Sequence, residues 1–308
     1  MIVVPDDFPS VFEGSEAHER AKALGEVRVF RERGAEDEAE LARRIDDSTV
    51  AVNIRAYARF SDAVLARCPK LRLVAIWGTG TDNVDLDAAA RRGVTVCNTP
   101  GANAIAVAEH AITLMLAVAR RIPGIDREMR SGAWPRDMLV QLHGKTLGVF
   151  GTGAIGARVA ELGRAFGMDV LAWSARQGSA ADKRDILTRA DFVSLHLRLT
   201  PETRGFIGAR EFGLMKRGAV LVNTGRGGLV DRQALHEALA GGRLGGAGLD
   251  VFHDEPLAGG DPLLGIAHTV LSPHNAGQTA EVRRDGLLKV IENVECFLAG
   301  RPANTVSA

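Results

Sequence analysis

The sequence predicts an α/β protein built on two doubly wound parallel sheets, and three observations predict it. Short β-branched runs alternate with Ala-, Leu-, Glu- and Arg-rich stretches of helical spacing along almost the whole chain. That alternation gives parallel strands covered by helices on both faces. A length of 308 residues suits about two domains. Finally, Asn98-Thr99-Pro100-Gly101 and Ser272-Pro273-His274-Asn275-Ala276-Gly277 interrupt the alternation where a chain would cross between domains. Residues 1–98 with 280–308 then form one domain, and residues 99–279 the other.

In chain order, the expected strands are Val50–Asn53, Arg72–Ile76, Val94–Asn98, Thr146–Phe150, Val170–Trp173, Phe192–Leu195, Ala219–Asn223 and Gly246–Asp250. Each is a short, mostly apolar run, as a strand buried on both faces requires. Ala104–Ala119 is apolar for 16 residues apart from Glu109, His110 and Thr113. It falls short of the ~20 residues of a membrane span and reads as a buried helix. Ala154–Phe166 and Arg232–Ala240 carry apolar residues at helical spacing, and a last helix begins near Thr279.

Composition excludes several classes. Lys plus Arg and Asp plus Glu each number 38, and 46% of residues are hydrophobic. This is an ordinary globular balance, not a disordered, collagen-like or disulfide-framework chain. Zero formal charge argues against a nucleic-acid footprint, which needs clustered cations. Three cysteines without CxxC spacing, Cys68, Cys97 and Cys296, fit a reducing compartment. The N-terminus has no basic region ahead of an apolar run, so no secretory leader is expected. These features predict a cytoplasmic protein without membrane association. The eight histidines lack ligand-like spacing with cysteines or carboxylates, so no metal is expected.

One segment points to a dinucleotide. Strand Thr146–Phe150 runs directly into Gly151-Thr152-Gly153-Ala154-Ile155-Gly156, then into a helix and the strand ending at Trp173. This is GxGxxG in its required βαβ setting. Gly151 allows the tight turn, Gly153 admits a pyrophosphate close to the backbone, and Gly156 lets helix and strand pack closely. The helix N-terminus offers free N–H groups to the anion. After the second strand an Asp or Glu would select NAD(H) through the ribose 2′-hydroxyl. Here the segment reads Ser174-Ala175-Arg176. Ser174 can donate a hydrogen bond and Arg176 can pair with a phosphate, which favours NADP(H) over NAD(H). Gly144-Lys145-Thr146 is not a phosphate-binding loop, because it precedes a strand and Leu139 stands where the upstream glycine belongs.

Three further segments each follow an expected strand. They carry Thr224-Gly225-Arg226, Asp250-Val251-Phe252-His253-Asp254-Glu255 and Ser272-Pro273-His274. Open α/β sheets bind ligands at the C-terminal ends of their strands. A hydride moving at a carbinol carbon requires a proton moved at its oxygen. His274 suits general acid/base work near neutrality. Glu255 would orient and support it, and Arg226 would hold a substrate carboxylate and polarise the adjacent carbonyl.

These motifs resemble the D-isomer-specific 2-hydroxyacid dehydrogenase family, which includes glyoxylate/hydroxypyruvate reductases. The similarity extends to Gly78-Thr79-Gly80-Thr81-Asp82-Asn83, Val107-Ala108-Glu109 and the segment from His196 to Arg204. The resemblance implies a Rossmann cofactor domain inserted in a flavodoxin-like substrate domain. It implies Arg226, Glu255 and His274 as the catalytic set acting on a small 2-oxo or 2-hydroxy acid. His196 and Thr224 would line the cofactor, and Asp250 would hold the nicotinamide carboxamide. Backbone N–H groups around Ala56-Tyr57 and Thr79-Gly80 would bind the substrate carboxylate. The long helix beginning near Ala102 and the arm Arg121–Lys145 would form a homodimer interface. The chain ends soon after the last motif, so the extra regulatory domain of some relatives is not expected.

Two departures bear on substrate. Gly225 replaces the family's usual Ala before the arginine. The first substrate loop, Asn53-Ile54-Arg55-Ala56-Tyr57-Ala58-Arg59-Phe60, holds the only tyrosine and two arginines suited to a second substrate anion. Formate dehydrogenases of the superfamily place Gln where Glu255 stands, which disfavours that chemistry, whereas phosphite oxidation uses a similar residue set. A different class, a dinucleotide-sensing corepressor-like binding protein, shares the fold and can retain the same three residues.

Overall fold

In a computed structural model, residues 1–54, 57–175 and 177–306 are described. The chain divides into two units, Met1–Asn103 with Gln278–Ala308, and Ala104–Gly277.

The first unit runs β1 (Ile2–Val4), α1 (Glu16–Lys22), β2 (Val27–Val29), α2 (Glu38–Ile45), β3 (Val50–Asn53), α3 (Asp62–Arg67), β4 (Leu73–Ile76), α4 (Leu86–Arg91) and β5 (Thr95–Cys97). Its strands pair in parallel in the order β2-β1-β3-β4-β5. This is the flavodoxin-like order of a doubly wound sheet. Alternate side chains feed two cores. Val3, Ala51, Val74 and Val96 pack with Leu41, Ile45, Val64 and Ala88 of α2 to α4. Val4, Val52, Leu73 and Cys97 pack with α1 and with α11 (Ala280–Leu298), through Ala21, Leu287, Ile291 and Val294. The helices start where side chains satisfy their free N–H groups: Ser15, Asp37, Ser61, Asp85 and Thr279 all accept at N-caps.

The second unit begins with α5 (Ala104–Ala119) and α6 (Ile122–Arg130). It continues through β6 (Thr146–Phe150), α7 (Ala154–Ala165), β7 (Asp169–Trp173), α8 (Ala180–Arg189) and β8 (Phe192–Leu195). It ends with α9 (Ala209–Leu214), β9 (Ala219–Asn223), α10 (Arg232–Ala240), β10 (Leu244–Leu249) and β11 (Thr269–Leu271). The parallel sheet has the order β11-β10-β9-β8-β6-β7. Strand order reverses at β6, which pairs with β7 on one side and β8 on the other. Loops leaving a sheet at such a switch diverge and open a crevice. Relative to the full dinucleotide-binding order, no strand lies beyond β7 among the described residues. Leu147, Val149 and Phe192 pack under α5 and α7, and Phe150, Val193 and Leu221 pack under α8 to α10.

All eight expected strands are present, with ends shifted by at most two residues. β1 and β2, at three residues each, are too short to leave a periodicity, and α6 lies inside the arm Arg121–Lys145. Among the described residues, no helix is long and apolar enough to cross a membrane. Phe192 is 1% exposed in the α5–α7 core, so Phe192→Ala should cost about 3–5 kcal/mol. Urea unfolding followed by circular dichroism would read this as a lowered midpoint.

Candidate active site

β6 ends in a backbone that only glycine fits. Gly151 has φ +101°, and a methyl group there would lie 2.5 Å from the His196 carbonyl oxygen. The loops after β6 and β8 therefore touch, backbone to backbone, at the switch point. A methyl group on Gly156 would overlap the Gly151 carbonyl oxygen, so α7 starts hard against the turn. Gly153 is the N-cap of α7, and nothing lies within 4 Å of where its Cβ would stand. Thr152 and Ala154 flank it and are exposed, and Ile155 is half-buried. This is an open, side-chain-free approach to the unpaired N–H groups of a helix start, which suits a pyrophosphate. Ser174 follows β7 directly, and its carbonyl accepts from the Gly178 N–H at 2.7 Å. Arg176, expected beside it, lies outside the described residues.

The β8 loop carries His196. Its Nε2 meets Ser194 Oγ at 2.8 Å and its Nδ1 meets Thr224 Oγ1 at 3.5 Å, which ties the ends of β8 and β9 together. Burial pushes the His196 imidazole down to about 4, so the ring is neutral in its polar contacts near neutral pH.

The β9 loop is shaped by Asn223, whose Oδ1 accepts from the Gly225 N–H at 3.0 Å and whose Nδ2 donates to the Arg226 carbonyl at 2.9 Å. A methyl group on Gly227 would strike the Phe252–His253 backbone, so this loop is seated on the one that follows β10. That second loop presents Glu255. Its Oε1 accepts from the Phe252 N–H at 3.0 Å, and its Oε2 lies 2.7 Å from His274 Nδ1. Burial pushes the Glu255 carboxyl up. The hydrogen bonds from His274 and Phe252, with the charges of His274 and Arg226, outweigh that and hold it below the ordinary carboxylate value. An ionised carboxylate only accepts, so His274 Nδ1 carries a proton and Nε2 is left for exchange with a substrate. The pair remains accessible, with side-chain exposures of 38% for His274 and 36% for Glu255.

His274 stands in left-handed backbone, with φ +52°, a conformation that costs a non-glycine residue about 1–2 kcal/mol. Asp250 holds it there. This carboxylate is 1% exposed. It accepts from Ser272 Oγ at 2.6 Å and from the Asn275 and Ala276 N–H groups at 3.0 Å each. About four acceptor positions per carboxylate leave room for one more donor, such as an amide of a bound nicotinamide. The structure thus adds Ser272 to the residues expected here. Sequence reasoning missed it because its partner is a carboxylate 22 positions away.

The remaining expected residues belong to the first unit. Thr79 and Gly80 follow β4, where the Thr79 carbonyl accepts from Asn98 Nδ2 at 2.8 Å. Tyr57 follows β3, donating its hydroxyl to Asp6 Oδ1 at 2.9 Å, with the Arg33 guanidinium carbon 4.8 Å from its ring centre. Ala56 and Arg55 lie outside the described residues. Among those described, no cluster of His, Cys, Asp or Glu is arranged to hold a metal ion.

His196 generates a pH prediction. An unfolded histidine takes up its proton near 6.5, whereas the folded one does so only near 4. The folded state therefore loses stability as pH falls from about 6.5 towards 4. The stability difference between wild type and His196→Gln should shrink steadily over that range in denaturant titrations. A flat difference from pH 7 to 5 would refute the assignment.

Residues 112–276 match the family model of the D-isomer specific 2-hydroxyacid dehydrogenase NAD binding domain. The chain is 43% identical over 263 residues to a glyoxylate reductase of Aeropyrum pernix, covering 79% of this chain and 78% of that one. It is 38% identical over 279 residues to a D-3-phosphoglycerate dehydrogenase of Methanocaldococcus jannaschii, covering 87% of this chain but only 53% of that longer protein. Among solved structures, an acyclic imino acid reductase in complex with NADPH and D-Arg superposes with a TM-score of 0.91 at 28% identity, covering 99% of both chains. The chain belongs to the D-isomer specific 2-hydroxyacid dehydrogenase family.

Proposed function

We propose that the chain is a reductase of small 2-oxo acids that yields D-2-hydroxy acids, uses NADP(H) in preference to NAD(H), and employs His274 as general acid. The observation that carries this reading is the 2.7 Å contact between His274 Nδ1 and Glu255 Oε2, in the same unit as the glycine loop. Ala104–Gly277 would be the dinucleotide-binding domain and the remainder the substrate domain. A reduced nicotinamide dinucleotide, when bound, would supply the hydride for C2 of the substrate and be oxidised in turn.

The chain's own residues do the rest. Gly151 to Gly156 would receive the pyrophosphate, Asp250 the carboxamide, and His196 and Thr224 would line the cofactor. The Arg226 guanidinium would bind the substrate carboxylate and polarise the carbonyl oxygen. Backbone N–H groups at Ala56-Tyr57 and Thr79-Gly80, in the other unit, remain candidates for binding a substrate carboxylate. His274 Nε2 would give its proton to that oxygen, while the ionised Glu255 stabilises the charged imidazolium through Nδ1. Ser174 and Arg176, in place of an acidic selector, support NADP(H).

Two features bear on assembly and location. Trp134 and Met138, in the arm after α6, are 71% and 98% exposed, apolar surface that a second copy would cover in a homodimer. Cys68, Cys97 and Cys296 are free thiols, in keeping with the cytoplasm. The binding-protein alternative has no support among the relatives described above, each of which is named as an enzyme.

Initial rates of NADPH and NADH oxidation against glyoxylate, hydroxypyruvate, pyruvate and phenylpyruvate test the reading. We expect saturable turnover with at least one acid and higher kcat/KM with NADPH. Absence of turnover with every acid, despite tight binding of both cofactors, would overturn it. His274→Ala should lower kcat by at least about 100-fold and leave the cofactor dissociation constant near wild type by fluorescence titration.

A further inference from the structure

His110 is one of two charged or titratable residues in the largely apolar α5, and the reaction described above does not use it. Its Nε2 lies 2.8 Å from Ser272 Oγ and 3.6 Å from Asp250 Oδ1. The Ser272 hydroxyl donates to Asp250 at 2.6 Å, so its oxygen accepts from His110, and Nε2 carries the proton of that contact. A chain of hydrogen bonds therefore runs from His110 through Ser272 to the carboxylate that anchors the backbone on the far side of His274.

The packing of α5 on β10 sets this contact by register. A methyl group on Gly246 would stand 2.7 Å from Val118 Cγ1, and one on Gly248 would stand 2.8 Å from Leu114 Cβ. Stepping two residues along the strand moves the contact four residues back along the helix. The two steps match in length, about 6.6 Å on the strand and about 6 Å on the helix. The next step of the series pairs Asp250 with His110. Glycine at 246 and 248 thus lets the helix approach closely enough for its imidazole to reach the end of the strand.

We propose that His110 is a positioning residue for the general acid: through Ser272 it orients Asp250, and Asp250 holds the Asn275 and Ala276 N–H groups that keep His274 in its left-handed conformation and facing Glu255. This rests on the reading of His274 as general acid.

The test compares full-length wild type, His110→Ala and His110→Gln by kcat, substrate KM, the pH profile of kcat, cofactor affinity, and hydrogen exchange at the Asn275 and Ala276 amides. Gln restores a neutral donor without the ring. In His110→Ala, kcat should fall about 10- to 100-fold, the scale for loss of an orienting partner. Substrate KM and cofactor affinity should change less than about threefold, the pH profile of kcat should move, and both amides should lose protection. His110→Gln should recover most of kcat and protection. Wild-type kcat and protection in His110→Ala would overturn the proposal, as would parallel loss of kcat, cofactor affinity and thermal stability in both variants. If wild type itself turns over no 2-oxo acid, the functional reading fails. Loss of amide protection in His110→Ala would still report the hydrogen-bond chain.

Discussion

A carboxylate that is 1% exposed must be supplied with donors, because an unpaired buried charge is prohibitively expensive. Asp250 meets that demand with one hydroxyl and two backbone N–H groups from the strand-end loop of β11. Much of the site's arrangement follows from this. The loop bends back on the end of β10, bringing Asn275 and Ala276 within reach of Asp250, and His274 at the bend is in left-handed backbone. The cost of that conformation is offset by charge-assisted hydrogen bonds, each roughly twice as strong as a neutral one. The imidazole then faces Glu255, whose loop leaves the same end of β10.

Parallel pairing explains why the groups converge at all. With β6 to β11 all running one way, the glycine loop, His196, Thr224, Arg226, Asp250, Glu255 and His274 leave the sheet at a single edge. Close backbone approaches join the side-chain hydrogen bonds in setting their distances. Gly151 lies on the His196 peptide, Gly156 on Gly151, and Gly227 on the Phe252–His253 peptide. Stacked backbones of this kind are closely packed and stiff.

Much of this was legible in the sequence. The glycine fingerprint announced itself because each glycine answers a separate steric demand. The Arg226, Glu255 and His274 segments stood out because chemically distinctive side chains followed predicted strands. The strands at Val50–Asn53 and Ala219–Asn223 were bounded correctly, since each is an uninterrupted apolar run closed by Asn. Other features could not be read. β1 and β2 are too short for a period to develop. The role of Asp250 as an anchor depends on backbone N–H groups, which every residue but proline carries and which leave no mark in composition. His110 looked like a polar interruption in an apolar helix, because its partner lies 162 positions away and is brought near by a glycine register on a different element.

The two units are joined internally by different means, and this bears on what each can absorb by mutation. In Met1–Asn103, the candidate substrate loop is tied down by side chains. Asp6 accepts from Tyr57 and from the Phe8, Gly34 and Ala35 N–H groups, and Arg33 covers the Tyr57 ring. A substitution at Tyr57 or Arg33 removes one of these ties and none of the backbone pairing of β1 with β3. In Ala104–Gly277 the side-chain ties of Asn223 and Asp250 are joined by contacts between main chains, and a side chain added at Gly151, Gly156 or Gly227 would collide with that frame. The first unit's loop can therefore change through its side chains, whereas the second unit's frame admits none at these three glycines.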